Sequence, residues 1–281
     1  MSLTVLDLVK VGKNLLRRST NSWLDSELLV SHVCDCDRVA IYRDPDAPVT
    51  PIQYRHFIKL ANARARGQPV AQLLGYTDFW SLSFVVDANV LVPRSETETL
   101  IETALELIPS TGQYVIADLG TGSGAIAVAL ALERAQAMII ATDVSPLALD
   151  VAERNRCFHK ASQVFLLRAD WMTALGTNKF DFIVSNPPYV ESNHSLLQDS
   201  DIRFEPRRAL ESGEDGLDDL RAIIKQAPGR LKQGGFLLVE HGYNQGLSAR
   251  QLFAEQGFKE ITTRRDLGKM ERVTFGQNIC Q

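Results

Sequence analysis

The sequence of 281 residues contains only four cysteines, and no two of them form a CxxC pair. Such a chain offers neither a disulfide framework nor the usual spacing of a zinc site. It also begins without the apolar stretch of a signal peptide, so we expect a protein of the reducing cytoplasm. His32, Cys34 and Cys36 are spaced more tightly than zinc ligands usually are, and no nearby segment supplies further ligands. We therefore expect no bound metal.

The sequence also lacks a long hydrophobic run and an excess of positive charge. No segment approaches the roughly 20 apolar residues that span a bilayer, so no membrane association is expected. The net charge is −4, which argues against a protein that grips long nucleic acid with its whole surface, and we expect no direct DNA binding. Residues 1–75 are the exception, with ten Lys and Arg against seven Asp and Glu. A solvated helical surface explains this local excess, and an anionic partner is the alternative.

Apolar residues make up 45% of the chain, which is enough to form the buried core of one large domain or of two smaller ones. Residues 1–75 show the apolar period of helices, and Thr50 with the proline that follows it marks a helix start. From Phe79 to Val92 the period changes to two, with a turn at residues 87–89 before Val90–Val92. We predict an N-terminal helical bundle followed by a β-hairpin linker.

Strand-like apolar runs alternate with helical stretches from residue 114 onward, which predicts an α/β fold with a mostly parallel sheet and helices on both faces. Two runs near the end, Ile261–Asp266 and Arg272–Phe275, are joined by a loop too short for a helical crossover, so they should pair antiparallel at one edge. The other predicted strands are Tyr114–Leu119, Met138–Asp143, Val164–Arg168, Phe180–Ser185 and Phe236–Glu240.

A glycine-rich loop follows the first of these strands and opens a helix at Ala125. The loop consists of Gly120, Thr121, Gly122, Ser123 and Gly124. It satisfies the fingerprint of nucleotide-binding sheets, and Asp143 lies 19 residues past Gly124, at the end of the second strand, where a carboxylate can bind ribose hydroxyls. Asp170 and Trp171 follow the third strand and would offer an acceptor and a flat ring to an adenine. This pattern alone does not separate NAD from S-adenosylmethionine.

Asn186-Pro187-Pro188-Tyr189 follows the fourth strand and suits chemistry on a planar NH2 group. Such a nitrogen is a poor nucleophile because its lone pair is delocalised, so it must be held in place. The side-chain carbonyl of Asn186 and a main-chain carbonyl beside it can accept both N–H bonds. The prolines remove competing donors, and Tyr189 offers a face for stacking.

These motifs all lie at the carboxyl ends of predicted strands, where open α/β sheets bind their ligands, so cofactor and substrate should meet in one crevice. A dehydrogenase needs a proton donor or an electrophile beside its nicotinamide, whereas this sequence places a donor-poor Asn-Pro-Pro-Tyr there. Methyl transfer from S-adenosylmethionine fits better.

Over nearly its whole length the chain resembles the bacterial HemK/PrmC family of release factor glutamine methyltransferases. Asn-Pro-Pro-Tyr alone would also fit a DNA adenine methyltransferase, and the motifs of the linker make the difference. Besides the glycine loop and Asn186–Tyr189, the resemblance rests on Gly67-Gln68-Pro69-Val70-Ala71, Leu74-Gly75-Tyr76 with Phe79-Trp80, Val90-Leu91-Val92-Pro93-Arg94 with Glu96-Thr97-Glu98, and Glu205-Pro206 with Ala209-Leu210 and Gly213-x-x-Gly216-Leu217-Asp218.

The resemblance implies a class I S-adenosylmethionine-dependent methyltransferase domain at residues 93–281, with a Rossmann-like seven-stranded sheet. It implies a release-factor-docking helical domain at 1–75 and a hairpin linker at 76–92. The expected reaction is methylation of the side-chain amide nitrogen (N5) of the glutamine in the Gly-Gly-Gln motif of class 1 peptide chain release factors, with S-adenosylhomocysteine as the product.

The resemblance also assigns roles to the motif residues. Asn186, Pro187 and Tyr189 would be catalytic, and with Pro188 they would bind the glutamine amide. The residues expected to bind S-adenosylmethionine are Gly120, Thr121, Gly122, Ser123, Gly124, Asp143, Asp170, Trp171 and Asn186.

One position departs from the family, which usually has a proline where this chain has Ser95. We expect Ser95 to cap a helix that begins near Glu96, with Glu98 completing a capping box.

Three alternative functions remain at this point. An enzyme that methylates a glutamine of a ribosomal protein would share the catalytic domain but differ in the N-terminal region. A DNA N6-adenine methyltransferase would need a target-recognition region and a basic groove, and neither is visible in residues 91–281. A non-catalytic adaptor that binds translation factors through residues 1–75 would not need an intact set of cofactor motifs.

Overall fold

The structure is a computed structural model that describes residues 3–177, 179–198 and 202–279. It divides into two compact units. The first contains the described residues up to Tyr76 together with Ile202–Phe204, and the second contains Thr77–Gln198 and the residues from Glu205 onward. In these ranges no helix is long and apolar enough to cross a membrane.

The first unit is a bundle of five helices, as the apolar period predicts. Its core contains the fully buried Leu8, Leu29 and Phe57. The buried ion pair between Arg64 Nε and Asp25 Oδ2, at 2.8 Å, links the fourth helix to the second. The helices are α1 (Val5–Leu15), α2 (Ser22–Cys34), α3 (Arg38–Arg43), α4 (Pro51–Ala65) and α5 (Val70–Leu74).

The start of α4 confirms the predicted helix signal. The side chain of Thr50 accepts a hydrogen bond from the backbone N–H of Gln53, and the side chain of Gln53 accepts one from the N–H of Thr50. Pro51 occupies the first turn, where its missing N–H removes no helical hydrogen bond.

The hairpin forms earlier in the chain than the sequence predicts. Strands β1 (Tyr76–Phe79) and β2 (Leu82–Val85) pair in a two-stranded sheet. The turn predicted at residues 87–89 does form, but Val90–Val92 is not a strand, so the predicted pairing across that turn is wrong. Trp80 and Ser81 connect β1 to β2 with φ values of 52° and 56°. This left-handed conformation suits a two-residue hairpin, but Trp and Ser are not residue types that signal it.

The second unit contains a seven-stranded sheet in the order β5-β4-β3-β6-β7-β9-β8. The first five strands in this order are parallel, and β9 pairs antiparallel with both β7 and β8, which confirms the predicted antiparallel edge. The strands are β3 (Val115–Leu119), β4 (Met138–Asp143), β5 (Val164–Arg168), β6 (Phe180–Ser185), β7 (Leu231–Glu240), β8 (Lys259–Arg265) and β9 (Glu271–Gln277).

Helices cover both faces of this sheet because successive strand residues point to opposite sides. Ile116 and Val184 contribute to one apolar core, and their neighbours Ala117 and Ile183 contribute to the other. Helices α6 and α7 pack into the first core, and α9 and α10 into the second. The helices of this unit are α6 (Glu98–Leu107), α7 (Ala125–Glu133), α8 (Pro146–Phe158), α9 (Asp218–Gln226) and α10 (Gly246–Glu255).

The order of the strands creates a crevice between the loops that follow β3 and β6. From β3 the chain proceeds outward through β4 to β5, and it then returns to the other side of β3 as β6. The connections that leave these two neighbouring strands therefore diverge, which is the arrangement that opens a binding site in α/β sheets. The Ser185 hydroxyl donates to the Leu119 carbonyl at 2.7 Å and ties the two strand ends together.

Candidate active site

The glycine loop turns sharply from β3 into α7. Gly120 and Gly122 have φ values of 70° and 56°, in the left-handed region that favours glycine. A β-carbon at Gly120 would lie 3.1 Å from the Trp171 ring, so this position also needs the missing side chain for space. At Gly122 a β-carbon would meet no atom within 4 Å, and the loop backbone there faces open space.

Two carboxylates hold this loop in place, that of Asp118 in β3 and that of Asp143 at the end of β4. Asp118 is fully buried, and its Oδ2 accepts a hydrogen bond from the Thr121 hydroxyl at 2.5 Å. Burial, with a smaller contribution from the charge of Asp143, raises the pKa of Asp118 to about 7. Asp143 accepts from the backbone N–H of Gly122 at 2.9 Å and from that of Ser145 at 2.8 Å. Asp143 therefore holds the loop in addition to facing the site.

A cavity of about 430 Å³ lies at the carboxyl ends of these strands, within the range of about 300–1,000 Å³ that is usual for small-molecule sites. It brings together residues from the loops after four strands, as the strand-end motifs predict. The predicted site residues that line it are Gly120, Gly122, Asp143, Asp170, Trp171, Asn186 and Pro188. Those that do not line it are Thr121, Ser123, Gly124, Pro187 and Tyr189. The first three of these build the loop, and their direct contact with a cofactor stays a prediction.

The chemistry of the lining fits a nucleoside cofactor. Gly122 lets a ligand approach the backbone, Asp143 presents a carboxylate at the end of β4, and Trp171 forms a flat wall against Gly120. Trp171 itself has a left-handed φ of 48°, which turns the chain immediately after Asp170.

Asn186 presents an unsatisfied acceptor at this cavity. Its Nδ2 donates to the Thr97 hydroxyl at 3.0 Å. Its Oδ1 is buried and has no hydrogen-bond partner among the described residues. Because a buried carbonyl without a partner is costly, this atom is the natural contact for the N–H of a ligand.

The backbone around Tyr189 is held from two sides. Its carbonyl accepts from Gln245 Nε2 at 3.1 Å, and its N–H donates to the Leu210 carbonyl at 3.2 Å. Gly216 packs so closely that a β-carbon there would lie 2.4 Å from the Tyr189 carbonyl oxygen. Burial raises the pKa of Tyr189 to about 12, so the phenol keeps its proton at neutral pH.

Several residues of the cavity wall were not predicted from the sequence as site residues. They include Asn89, Pro206, Arg208, Glu211 and Asp219. Burial raises the pKa of Asp219, against the opposing hydrogen bonds of Ser212 and the Trp171 indole. An aspartate in the first turn of a helix is common for reasons of helix stability, so nothing in the local pattern marks Asp219 as part of a site.

The segment that contains Ser95 differs from the prediction. Residues Ser95–Thr97 form a 3-10 turn, no side chain caps it, and the Ser95 hydroxyl donates to Glu96 instead. Glu98 accepts from the backbone N–H of Trp80 at 2.9 Å, so it is not available for a capping box, and that prediction is wrong. Arg94 Nη2 forms an ion pair with both oxygens of the buried Glu205, at 2.8 and 2.7 Å. This ion pair holds the segment before α6.

Two family models match the chain. The PrmC N-terminal domain matches residues 7–75, and the Methyltransferase small domain matches residues 96–269. Among curated proteins, the Release factor glutamine methyltransferase of Xylella fastidiosa (strain Temecula1) is 45% identical over 254 residues, which cover 90% of this chain and 92% of that protein. The protein of the same name from Escherichia coli (strain K12) is 41% identical over 262 residues, which cover 93% and 94%.

Solved structures share the fold at low sequence identity. The catalytic domain of hMettl16 in complex with an RNA hairpin superposes with a TM-score of 0.60 at 17% identity, over 79% of this chain and 81% of that one. A methyltransferase from Pyrococcus furiosus gives a TM-score of 0.56 at 16% identity, over 78% of this chain and 100% of that one.

Proposed function

The chain belongs to the release factor glutamine methyltransferases, and from this membership we propose how it carries out the reaction that the family name states. It transfers a methyl group to the side-chain amide nitrogen of a glutamine in a release factor. The methyl donor in this proposal is S-adenosylmethionine, and the glutamine is that of the Gly-Gly-Gln motif of class 1 release factors. Such a substrate would place the protein in the cytoplasm. The observation that carries the assignment of the site is the buried Oδ1 of the lining residue Asn186, which has no hydrogen-bond partner in the described part of the chain.

The cofactor would lie against the glycine loop. Gly122 allows its close approach, the Asp143 carboxylate would accept from ribose hydroxyls, and the Trp171 ring would pack on the base. When bound, S-adenosylmethionine supplies an electrophilic methyl group on a sulfonium.

The glutamine amide would be held by Asn186 and its neighbours. Asn186 Oδ1 would accept one amide N–H. The main-chain carbonyl of Pro187, which lies in the chain between the lining residues Asn186 and Pro188, would accept the second. Two acceptors orient the nitrogen toward the cavity and stabilise the positive charge that develops on it, so positioning supplies most of the catalysis. No strong base is needed before attack, because the nitrogen becomes acidic only once the new bond has formed, and the proton then leaves to water.

Mass spectrometry tests the proposed function directly. Incubation of a class 1 release factor with the protein and S-adenosylmethionine should raise the mass of the peptide that contains Gly-Gly-Gln by about 14 Da, which corresponds to one methyl group in place of a hydrogen. Fragmentation should place this methyl group on the glutamine side chain. Ribosomal proteins in the same assay provide the comparison. Methylation of a ribosomal protein glutamine with no change in the release factor would contradict the proposal.

The helical unit would supply recognition of the whole release factor. A glutamine side chain offers few atoms, so selection among the many exposed glutamines of a cell requires a second contact surface. Tethering the two contacts raises the effective concentration of the glutamine at the site, a gain of about 10²- to 10⁴-fold.

Removal of the helical unit should therefore separate the two substrates. The cut belongs after Tyr76, because Val70, Leu73 and Leu74 pack against the helical core and would be exposed by a cut before α5. We expect kcat/KM on folded release factor to fall about 10²- to 10⁴-fold, and kcat/KM on a short Gly-Gly-Gln peptide to stay within a few-fold. The affinity for S-adenosylmethionine and the melting temperature are the controls. Equal losses on both substrates would mean that the unit supports folding or catalysis instead of docking.

A further inference from the structure

Two buried polar residues outside the cavity lie against Asn186. Thr97 is the last residue of the 3-10 turn before α6, and Glu240 is the last residue of β7. Only 4% of Thr97 and 1% of Glu240 is exposed. The Thr97 hydroxyl accepts the hydrogen bond from Asn186 Nδ2 at 3.0 Å. Neither oxygen of Glu240 has a partner of normal hydrogen-bond geometry among the described residues, which is unusual for a carboxyl group at this depth. The Thr97 hydroxyl and the Asn186 amide nevertheless lie close enough to lower its pKa.

An asparagine amide can bind in two orientations that differ by a half-turn. Only the carbonyl end can accept an N–H from a substrate NH2 group, whereas the NH2 end would confront that group with a second donor. A site that holds a planar NH2 group on asparagine therefore needs neighbours that distinguish the two ends of the amide.

Thr97 and Glu240 can make this distinction because of the groups they carry. A carboxylate only accepts hydrogen bonds, whereas a hydroxyl both donates and accepts. If the Thr97 hydroxyl donates a hydrogen bond to Glu240, the hydroxyl oxygen is left to accept from the NH2 end of Asn186. The hydrogen bond between Asn186 and Thr97 has this direction. The other end of the amide, Oδ1, then remains for the substrate.

The charges around Glu240 are consistent with a carboxylate that accepts a hydrogen bond from Thr97. Burial raises the pKa of Glu240 to about 7, and the Thr97 hydroxyl, Arg272 and the Asn186 amide oppose this rise. The charge of Glu96 adds to it, so Glu240 lies between groups of both signs. At and above neutral pH the carboxylate form is therefore substantially populated.

We propose that Thr97 and Glu240 are positioning residues, which fix the Asn186 amide with Oδ1 turned toward the substrate nitrogen. This inference rests on the proposed role of Asn186 in holding the glutamine amide. Neither residue lines the cavity, so each acts through Asn186.

Substitutions at Thr97 distinguish the effect of its hydroxyl group from the effect of its side-chain size. Thr97→Val keeps the size of the side chain and should lower kcat about 10²-fold, since a small misplacement of a reacting group has an effect of this size. Thr97→Ser restores the hydroxyl and should recover most of the activity. Thr103→Val is the matched control, because Thr103 is also buried and donates to the Thr99 carbonyl at 2.7 Å within α6. It should leave kcat within about two-fold of the wild-type value.

Substitutions at Glu240 distinguish positioning from structural support. Glu240→Leu replaces a buried carboxyl group, whose removal from water is costly, with an apolar side chain, so the melting temperature should stay the same or rise. If the residue positions Asn186, kcat should nevertheless fall about 10²-fold. Glu240→Gln keeps an acceptor oxygen and should lie between Glu240→Leu and the wild type.

A double-mutant cycle gives the deciding measurement. Because Thr97 acts through Asn186, adding Thr97→Val to Asn186→Ala should cause no further loss of kcat, whereas independent effects would multiply. Full multiplication, or normal kcat in both Thr97→Val and Glu240→Leu, would overturn the inference while leaving the role of Asn186 intact. Near-normal turnover of Asn186→Ala alone would instead overturn the proposed role of Asn186.

Discussion

Asn186→Ala should lower kcat by about 10²- to 10³-fold and leave the affinity for S-adenosylmethionine within a few-fold of the wild-type value. Asn186 lines the cavity, and its buried carbonyl oxygen has no partner in the described part of the chain, so we expect this oxygen to accept from the substrate amide. An acceptor that holds the nitrogen contributes most as positive charge develops there, so its loss should act on kcat more than on binding.

The measurement is the single-turnover rate on folded release factor, with calorimetry for the cofactor. Asn155→Ala is a useful contrast, because Asn155 is also a buried asparagine but makes three hydrogen bonds to backbone groups of Val85 and Ser123. Asn155→Ala should lower the melting temperature more than Asn186→Ala and retain more turnover. If Asn186→Ala turns over at a near-normal rate, the glutamine amide is held elsewhere.

Asp143→Ala should have its main effect on the cofactor. A carboxylate that accepts from both ribose hydroxyls loses two charge-assisted hydrogen bonds, each worth about 1.5–3 kcal/mol. The affinity for S-adenosylmethionine should therefore fall about 10²- to 10⁴-fold, and turnover should largely recover at saturating cofactor. Part of the loss will come from the loop, because Asp143 also accepts from the backbone N–H groups of Gly122 and Ser145.

Ser145→Ala is the control for helix stability beside Asp143, because it keeps the backbone N–H that donates to the carboxylate. The Ser145 side chain accepts from the N–H of Ala148 and caps α8, so its removal should cost about 1 kcal/mol of stability. It leaves the carboxylate in place, and calorimetry should show cofactor affinity close to that of the wild type. An unchanged affinity in Asp143→Ala itself would limit Asp143 to holding the end of β4.

The central strands were predictable because they are buried on both faces. Four of the six residues of Phe180–Ser185 are apolar, and its predicted limits agree with those of β6. The start of β7 was not predictable in the same way. Lys232, Gln233 and Gly234 lie within the strand but are exposed at the end of the sheet, so the apolar pattern begins only at Phe236.

The residues of the candidate site likewise fall into those that a sequence pattern predicts and those that it does not. The places of Gly120, Gly122, Asp143, Trp171 and Asn186 at the cavity could be predicted because each lies at or just after the end of a recognisable strand, and the topology of the sheet then brings strand ends together. Glu240 also ends a strand, but its partners are fixed by the position of the turn before α6, which comes from a distant part of the sequence. Contacts of this kind depend on tertiary packing and leave no periodic signal.

The position of β9 has a consequence for the synthesis of the chain. This strand contains nearly the last described residues, yet it lies inside the sheet, between β7 and β8. Two residues of β9 also bind His241, which follows Glu240 in the chain. The Arg272 carbonyl accepts from the backbone N–H of His241, and the Thr274 hydroxyl is hydrogen-bonded to the imidazole Nε2. A nascent chain that ends before residue 271 would expose the edge of β7, a surface prone to association with other strands. The sheet around the site can therefore close only after the ribosome has synthesised β9 and the strand has left the exit tunnel.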